Sequence, residues 1–309
     1  MKQMALARNK TVIILMGPTA VGKTSAAIEM AKYFKTEIIS ADSRQCFKEL
    51  NIGVARPSEK ELQIIKHYFI ASHSIRDDVN AGSFEQYSLQ KVNEIFQEHN
   101  VAVMVGGTGL YIKAFCEGVD EMPGVPAETR KSIISDYERY GLKWLQAETQ
   151  RKDPAFYNTG EIQNPQRLMR ALEVVEATGQ SILTFRKGKK QERDFNIVKI
   201  GLEISKEELH RNINVRVDGM MAAGLLEEVE RLLPYKDLNA LQTVGYAEMF
   251  DHLEGKISLQ DAAELVRKNT RQYAKRQMTW FKKDKDIHWM DPRKVDPSIL
   301  SNRVGSTLA

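Results

Sequence analysis

The chain has 309 residues, 42% of them hydrophobic and 28% charged, with a formal net charge of +4. That is enough for a real core in one large domain, or in a domain with a sizeable insertion. Two cysteines, Cys46 and Cys116, exclude a disulfide framework and match no metal spacing, so they read as thiols of a reducing cytosol. The mild positive charge permits a nucleic-acid partner without demanding one.

Lys2, Arg8 and Lys10 precede the apolar run Thr11 to Met16 and superficially mimic a signal peptide. The run is too short and leads straight into a glycine-rich loop, so it is read as the first strand. No stretch approaches the ~20 apolar residues of a membrane span. The expectation is a cytoplasmic protein.

Gly17-Pro18-Thr19-Ala20-Val21-Gly22-Lys23-Thr24 fits G-x-x-x-x-G-K-[ST], the phosphate loop of nucleotide- and ATP-binding proteins. The glycines allow backbone N–H groups to turn toward one anion, and the following helix adds its positive end. Lys23 supplies a mobile charge, and the Thr24 hydroxyl can join a Mg²⁺ shell. The alternative is a glycine turn that binds nothing. The β-branched strand before the loop and the helical spacing of Ala27, Met30, Ala31 and Phe34 after it favour the phosphate loop.

Thr36 to Ser40 reads as a second strand ending in Asp42-Ser43-Arg44-Gln45. Ligands sit at the carboxyl ends of parallel strands, so Asp42 falls near the phosphate loop if the two strands are adjacent. It is then either a catalytic group or a turn cap. His67 and His73, in a stretch hard to place, have no ligand spacing and are read as structural. Ser83 to Asn100 is helical. Val101 to Val105 is a buried strand closed by Gly106-Gly107-Thr108-Gly109, without the terminal Asp of a nucleotide-hydrolysing motor.

Pro123, Gly124 and Pro126 mark a linker into a helical stretch. There Asn164-Pro165 caps a helix with the stripe Leu168, Leu172 and Val175, and Gly179 ends it. Lys187 to Arg193 is a basic connection. Asn196 to Glu203 returns as a strand. The organisation expected is an α/β core with a parallel sheet over 1–118 and 200–309, and a mostly helical insertion at 119–199. Ser205 and Glu208 form a capping box on the next helix. There Arg216 lies beside the apolar face of Ile213, Val217 and Met220. A guanidinium so placed needs an anion, either Asp218 or a neighbouring Glu, or a bound diphosphate. A last helix, about 261–283, carries Arg267, Arg271 and Lys275 at helical spacing, with Tyr273, Gln277 and Trp280 beside them. This is a solvated face or a nucleic-acid surface.

These motifs occur in one order, together with Pro165 to Glu173, Val244-Gly245-Tyr246 and Thr270 to Trp280. Over nearly its whole length the chain resembles the tRNA dimethylallyltransferase (isopentenyltransferase) family. The resemblance implies a P-loop NTPase-like fold. It also implies transfer of a dimethylallyl group from dimethylallyl diphosphate to N6 of adenine 37 in the tRNA anticodon stem-loop, with Mg²⁺. By resemblance, Gly17, Pro18, Thr19, Ala20, Val21, Gly22, Lys23 and Thr24 hold the diphosphate, and Thr24 is near the metal. Asp42 accepts the amine proton, Arg216 and Lys23 face the departing charge, and Ser43, Arg44 and Gln45 grip the nucleotide. Further tRNA contacts fall on Thr108, Arg130, Gln166, Arg167, Leu168, Met169, Arg170, Val244, Gly245 and Tyr246. The run Lys275, Arg276, Gln277, Met278, Thr279, Trp280, Phe281 and Lys282 completes them. Two departures stand out: Ala247-Glu248 follows Gly-Tyr where the family often has Arg-Gln, and Lys66-His67 replaces paired histidines. A monomer is expected. A small-molecule kinase would explain the phosphate loop alone. An RNA-binding NTPase would explain both features and predicts RNA-stimulated phosphate release.

Overall fold

A computed structural model describes residues 10–188 and 190–298. Lys2, Arg8 and Lys189 of the two basic stretches lie outside the described residues. Two compact units are formed. The first takes residues up to Cys116 and from Glu192 onward, and the second is Glu117–Gln191.

The first unit is built on strands β1 (Thr11–Met16), β2 (Ile38–Ala41), β3 (His67–Tyr68), β4 (Val101–Gly106), β5 (Asn196–Leu202) and β6 (His288–Met290). They form one sheet in the order β3-β2-β4-β1-β5-β6, parallel at every pairing. β1 is buried at all its positions, and its side chains divide by the period of two. Val12, Ile14 and Met16 pack with Phe84, Val92 and Ile95 of helix α3 (Ala81–Glu98). Ile13 and Leu15 pack on the opposite face with Ala27, Met30 and Ala31 of helix α1 (Lys23–Phe34). Each fully buried Val, Ile or Leu contributes about 1.5–3 kcal/mol. That layer over-determines the loops at the strand ends, which hold Ala20 and Ala55 at positive φ, 63° and 48°.

β1 and β2 are not adjacent, because β4 lies between them. Asp42 still reaches the phosphate loop, since every strand of a parallel sheet ends on the same side. Ala41 and Gly106 close together there: a Cβ on Gly106 would lie 2.2 Å from the Ala41 carbonyl oxygen. The stretch that resisted placement forms helix α2 (Glu59–Ile64), capped reciprocally by Ser58 and Glu61, and then β3.

Helix α4 (Gly109–Glu117) follows β4. The second unit contains α5 (Ala127–Lys152), α6 (Pro154–Thr159), α7 (Pro165–Thr178) and α8 (Ile182–Phe185). α5 breaks at Gly141, whose φ of 74° a helix cannot hold. Ile133, Leu145, Phe156, Leu168 and Leu172 give this unit a core of its own. Buried Asp153 caps two segments, accepting from Phe156 N at 3.0 Å and Ile182 N at 3.2 Å. The expected boundary at residue 199 falls inside β5, which pairs with β1 from Asn196 onward.

Returning to the first unit, α9 (Lys206–Ala222), α10 (Leu225–Leu232), α11 (Ala247–Leu253) and α12 (Leu259–Phe281) complete the chain before β6. The Ser205 capping box is half formed. Ser205 accepts the Glu208 N–H, but the Glu208 carboxylate pairs with Arg293 at 3.3 Å instead. No helix among the described residues is long and apolar enough to cross a membrane.

Candidate active site

β1 ends at Met16, and the chain turns under β5 at Gly17, where a Cβ would lie 2.6 Å from the Leu202 carbonyl oxygen. Only glycine fits that approach. Gly22, at φ 99°, is the N-cap of α1 and points the first helical N–H groups toward the loop's hollow. Three distant side chains set the loop. Gln277 on α12 accepts from Thr19 N at 2.9 Å, Asn212 on α9 donates to Ala20 O at 3.2 Å, and Arg216 donates to Thr19 Oγ1 at 2.9 Å.

Lys23 is half-buried and donates to the Pro18 carbonyl at 2.7 Å. Burial, and next the Arg216 charge, lower its pKa to about 7 against a smaller upward pull from Asp42. Burial also lowers the pKa of Arg216, again opposed by Asp42. Among the described residues neither cation has a carboxylate within ion-pair distance. Asp218, one of the candidate partners of Arg216, instead pairs with Arg267 on α12. Two desolvated cations with no bound anion are costly unless an anion arrives with the ligand.

The Asp42 carboxylate is divided in function. Its Oδ1 caps the turn, accepting from Arg44 N at 2.9 Å and Gln45 N at 3.2 Å. Among the described residues its other oxygen accepts no hydrogen bond, so both readings of this residue are compatible. Ser43 N donates to Thr108 Oγ1 at 3.0 Å, Arg44 donates to Asn239 O at 2.7 Å, and Gln45 donates to Ala55 O at 3.0 Å. The turn after β2 is thereby rigid.

Two cavities meet here. One, of about 330 Å³, is lined by Thr19, Lys23, Thr24, Asp42, Gln45 and Arg216. The other, of about 490 Å³, is lined by Arg44, Val244, Gly245, Tyr273 and Arg276 among others. Thr19, Asp42, Val54, Ala55, Arg216 and Tyr273 line both. An anion held by Lys23 and Arg216 would thus face Asp42 across the junction. Burial, and then Asp42, push the Tyr273 phenol up to about 12, which keeps it a neutral donor. Thr24 supplies a hydroxyl on the anion side. Mg²⁺ takes most of its ligands from water and substrate phosphates, so that donor fits it, although no group of three His, Cys, Asp or Glu side chains among the described residues could hold a metal alone.

The predicted RNA contacts separate into exposed and buried positions. Lys275, Arg276, Thr279, Trp280 and Lys282 are exposed on α12 or just after it, and Lys282 pairs with Glu203 at 2.6 Å. Met278 is half-buried, and Phe281 is in the core. Tyr246 is corrected: it is 0% exposed and its hydroxyl donates to Glu228, so its side chain is structural. Gln277 is likewise buried, donating to Gly107 O at 2.9 Å while it accepts from Thr19. In the second unit Leu168 and Met169 are core residues, whereas Gln166, Arg167 and Arg130 are exposed. Arg167 pairs with Glu161, Arg170 with Glu173 at 3.0 Å, and Arg130 with Glu173 at 3.6 Å. Glu248, at a departure from the family pattern, is buried and accepts from Gly245 N at 2.8 Å and Asn269 Nδ2 at 2.6 Å. It holds the turn that lines the larger cavity.

Sequence reasoning missed Asn212, Glu228 and Glu248. Glu228 had a signal, since it shares the apolar stripe of Leu225 and Leu232, where a carboxylate must find donors.

The IPP transferase family model matches residues 45–284 of this chain. The chain belongs to that family. Among its relatives, the tRNA dimethylallyltransferase of Christiangramia forsetii is 48% identical over 280 residues, 91% of this chain and 93% of that protein. The tRNA dimethylallyltransferase 1 of Bacteroides thetaiotaomicron is 44% identical, covering 92% of each. Among solved structures, the full-length tRNA isopentenylpyrophosphate transferase of Bacillus halodurans is 29% identical, with a TM-score of 0.70 over 97% of both chains. The parallel sheet and phosphate loop are therefore the P-loop NTPase-like core of the IPP transferase family.

Proposed function

We propose that the protein transfers a dimethylallyl group from dimethylallyl diphosphate to N6 of adenine 37 in a tRNA anticodon loop, releasing diphosphate, as a cytoplasmic monomer. The observation that carries this reading is the junction of the two cavities. It sets a carboxylate with one uncommitted oxygen against two half-buried cations that have no carboxylate partner among the described residues. The names of the relatives, tRNA dimethylallyltransferases, support the tRNA and the transferred group.

The exocyclic amine of adenine is a weak nucleophile because its lone pair is delocalised into the ring. Residues Ser43, Arg44 and the Val244-Gly245 rim hold the extruded base in the larger cavity, and extruding an unpaired base costs a few kcal/mol at most. N6 attacks the first carbon of the allyl group, and the bond from that carbon to the diphosphate oxygen breaks with its electron pair. The N6 proton passes to Asp42, a step worth roughly 10²–10⁴-fold. Lys23 and Arg216 stabilise the charge that grows on the diphosphate, preorganised by their bonds to the Pro18 carbonyl and to Thr19. Thr24 would hold Mg²⁺, which supplies further positive charge to the same phosphates. Exposed Gln166, Arg167 and Arg130 are the tRNA contacts of the insertion, and Lys275 and Arg276 those of α12.

The deciding experiment is mass analysis of tRNA nucleosides after incubation with dimethylallyl diphosphate and Mg²⁺. A gain of one dimethylallyl group on adenosine is expected. Unchanged nucleosides with RNA-stimulated ATP hydrolysis would replace this reading with an RNA-binding NTPase.

A further inference from the structure

Residues 53–57 line the two cavities where they meet. Val54 and Ala55 line both, and Arg56 and Pro57 line the diphosphate side. The segment contains neither helix nor strand and Ala55 sits at φ 48°; its own turn bonds, Ala55 N to Ile52 O at 3.0 Å and Arg56 N to Asn51 O at 3.2 Å, bend it, and side chains from elsewhere hold its flanks. Gln45 holds one flank, donating to Val54 O at 3.2 Å and Ala55 O at 3.0 Å. The other flank rests on Glu228 in α10. Its Oε2 accepts from Ile52 N at 2.8 Å, and its Oε1 accepts from Gly53 N at 3.0 Å and from the Tyr246 hydroxyl at 2.6 Å.

Glu228 is 4% exposed and Tyr246 0%, so this carboxylate is tolerated only because three donors meet it. Burial and the neighbouring Glu228 push the Tyr246 phenol up, which keeps it a donor. Contact with the wall is close: a Cβ on Gly53 would lie 2.5 Å from the Tyr246 ring. Tyr246 directly follows Val244 and Gly245 of the larger cavity. One buried carboxylate therefore ties the rim on the base side to the wall at the junction.

We propose that Glu228, held by Tyr246, is a positioning residue that sets the width of the passage beside Val54 and Ala55, and so limits the length of prenyl chain that can reach Asp42. The proposal rests on the prenyl-transfer reading above. Neither Glu228 nor Tyr246 touches the reacting atoms. The allyl chain, the apolar part of the donor, lies against the apolar wall that they hold.

The test is single-turnover transfer to tRNA by the full-length protein from dimethylallyl and from geranyl diphosphate, comparing wild type, Glu228→Gln and Tyr246→Phe. In Glu228→Gln an amide NH₂ replaces one accepting oxygen and opposes a donor. A wall displaced by about 1 Å can change a rate by up to ~10²-fold, so the wild-type preference for dimethylallyl should fall about tenfold or more, with tRNA affinity within about threefold. Tyr246→Phe keeps its ring against Gly53 and both backbone bonds to Glu228. It therefore gives the same comparison, with a smaller fall, if Glu228→Gln melts below the assay temperature. A merely structural role would lower transfer of both groups equally, and an unchanged ratio in folded variants overturns the proposal. Wild type that transfers neither group to tRNA would overturn the prenyl-transfer reading and this proposal with it. Normal wild-type transfer with an unchanged ratio removes only the role of Glu228.

Discussion

Gln277 on α12 accepts the Thr19 N–H and donates to the Gly107 carbonyl, both at 2.9 Å, so one buried amide joins the helix with the basic surface to the phosphate loop. Gln277→Ala leaves that donor and that acceptor unpaired, at about 1–3 kcal/mol each. Donor affinity should fall about tenfold or more, by the same magnitude, and the melting temperature should drop. Gln277→Glu keeps the bond from Thr19 but repels Gly107, so its loss should be partial. Titration with the donor diphosphate beside a thermal melt checks both.

Asp42→Asn retains an oxygen to cap Arg44 and Gln45 but cannot take a proton. Single-turnover transfer should fall about 10²-fold or more, with tRNA affinity within a few fold. A fall of less than about tenfold would lie below the general-base range and leave Asp42 as the turn cap alone.

Lys23 makes donor binding depend on pH. In the free protein its proton is lost near pH 7, because burial and Arg216 depress its pKa. A bound diphosphate favours the ammonium form and raises that pKa, so binding takes up a proton above pH 7. Affinity should therefore be independent of this group below about pH 7 and fall by up to roughly tenfold per unit above it. In Lys23→Met that slope should vanish while weaker binding persists.

The two kinds of cation should separate by salt dependence. Lys275 is exposed, and Lys275→Gln should lower the slope of log tRNA affinity against log salt by about 0.7–0.9. Arg271 is half-buried and donates to Asn214 Oδ1 at 3.0 Å, so its effect should be smaller. Arg216→Gln should leave the slope alone and slow transfer at saturating tRNA, because its charge acts on the departing diphosphate. Normal transfer with a flattened slope in Arg216→Gln would reverse that assignment.

The insertion can be tested by excision. Arg193 donates to Phe115 O at 2.8 Å and pairs with Glu85 at 2.7 Å, so both must remain. A chain in which residues 119–190 become a short Gly-Ser bridge should fold and bind diphosphate but lose tRNA affinity. Failure to fold would make these helices part of the core.

The sequence by itself determined the phosphate loop, the buried strands and the placing of Asp42 at a strand end. Those follow from local chemistry: glycine's freedom at Gly22, the period-two burial of β1, and the turn-forming habit of an Asp after a strand. Tertiary structure decided which partners meet. β4 inserted between β1 and β2, and Asp218 went to Arg267, leaving Arg216 for an anion. Tyr246 and Gln277, placed among RNA contacts by resemblance, turned inward to satisfy Glu228 and the phosphate loop. Thr19 and Gln277 are 258 positions apart in the chain. No periodicity or propensity reports such a bond. It exists because packing buries the Gln277 amide beside the phosphate loop, and a buried polar group must find partners wherever packing brings them.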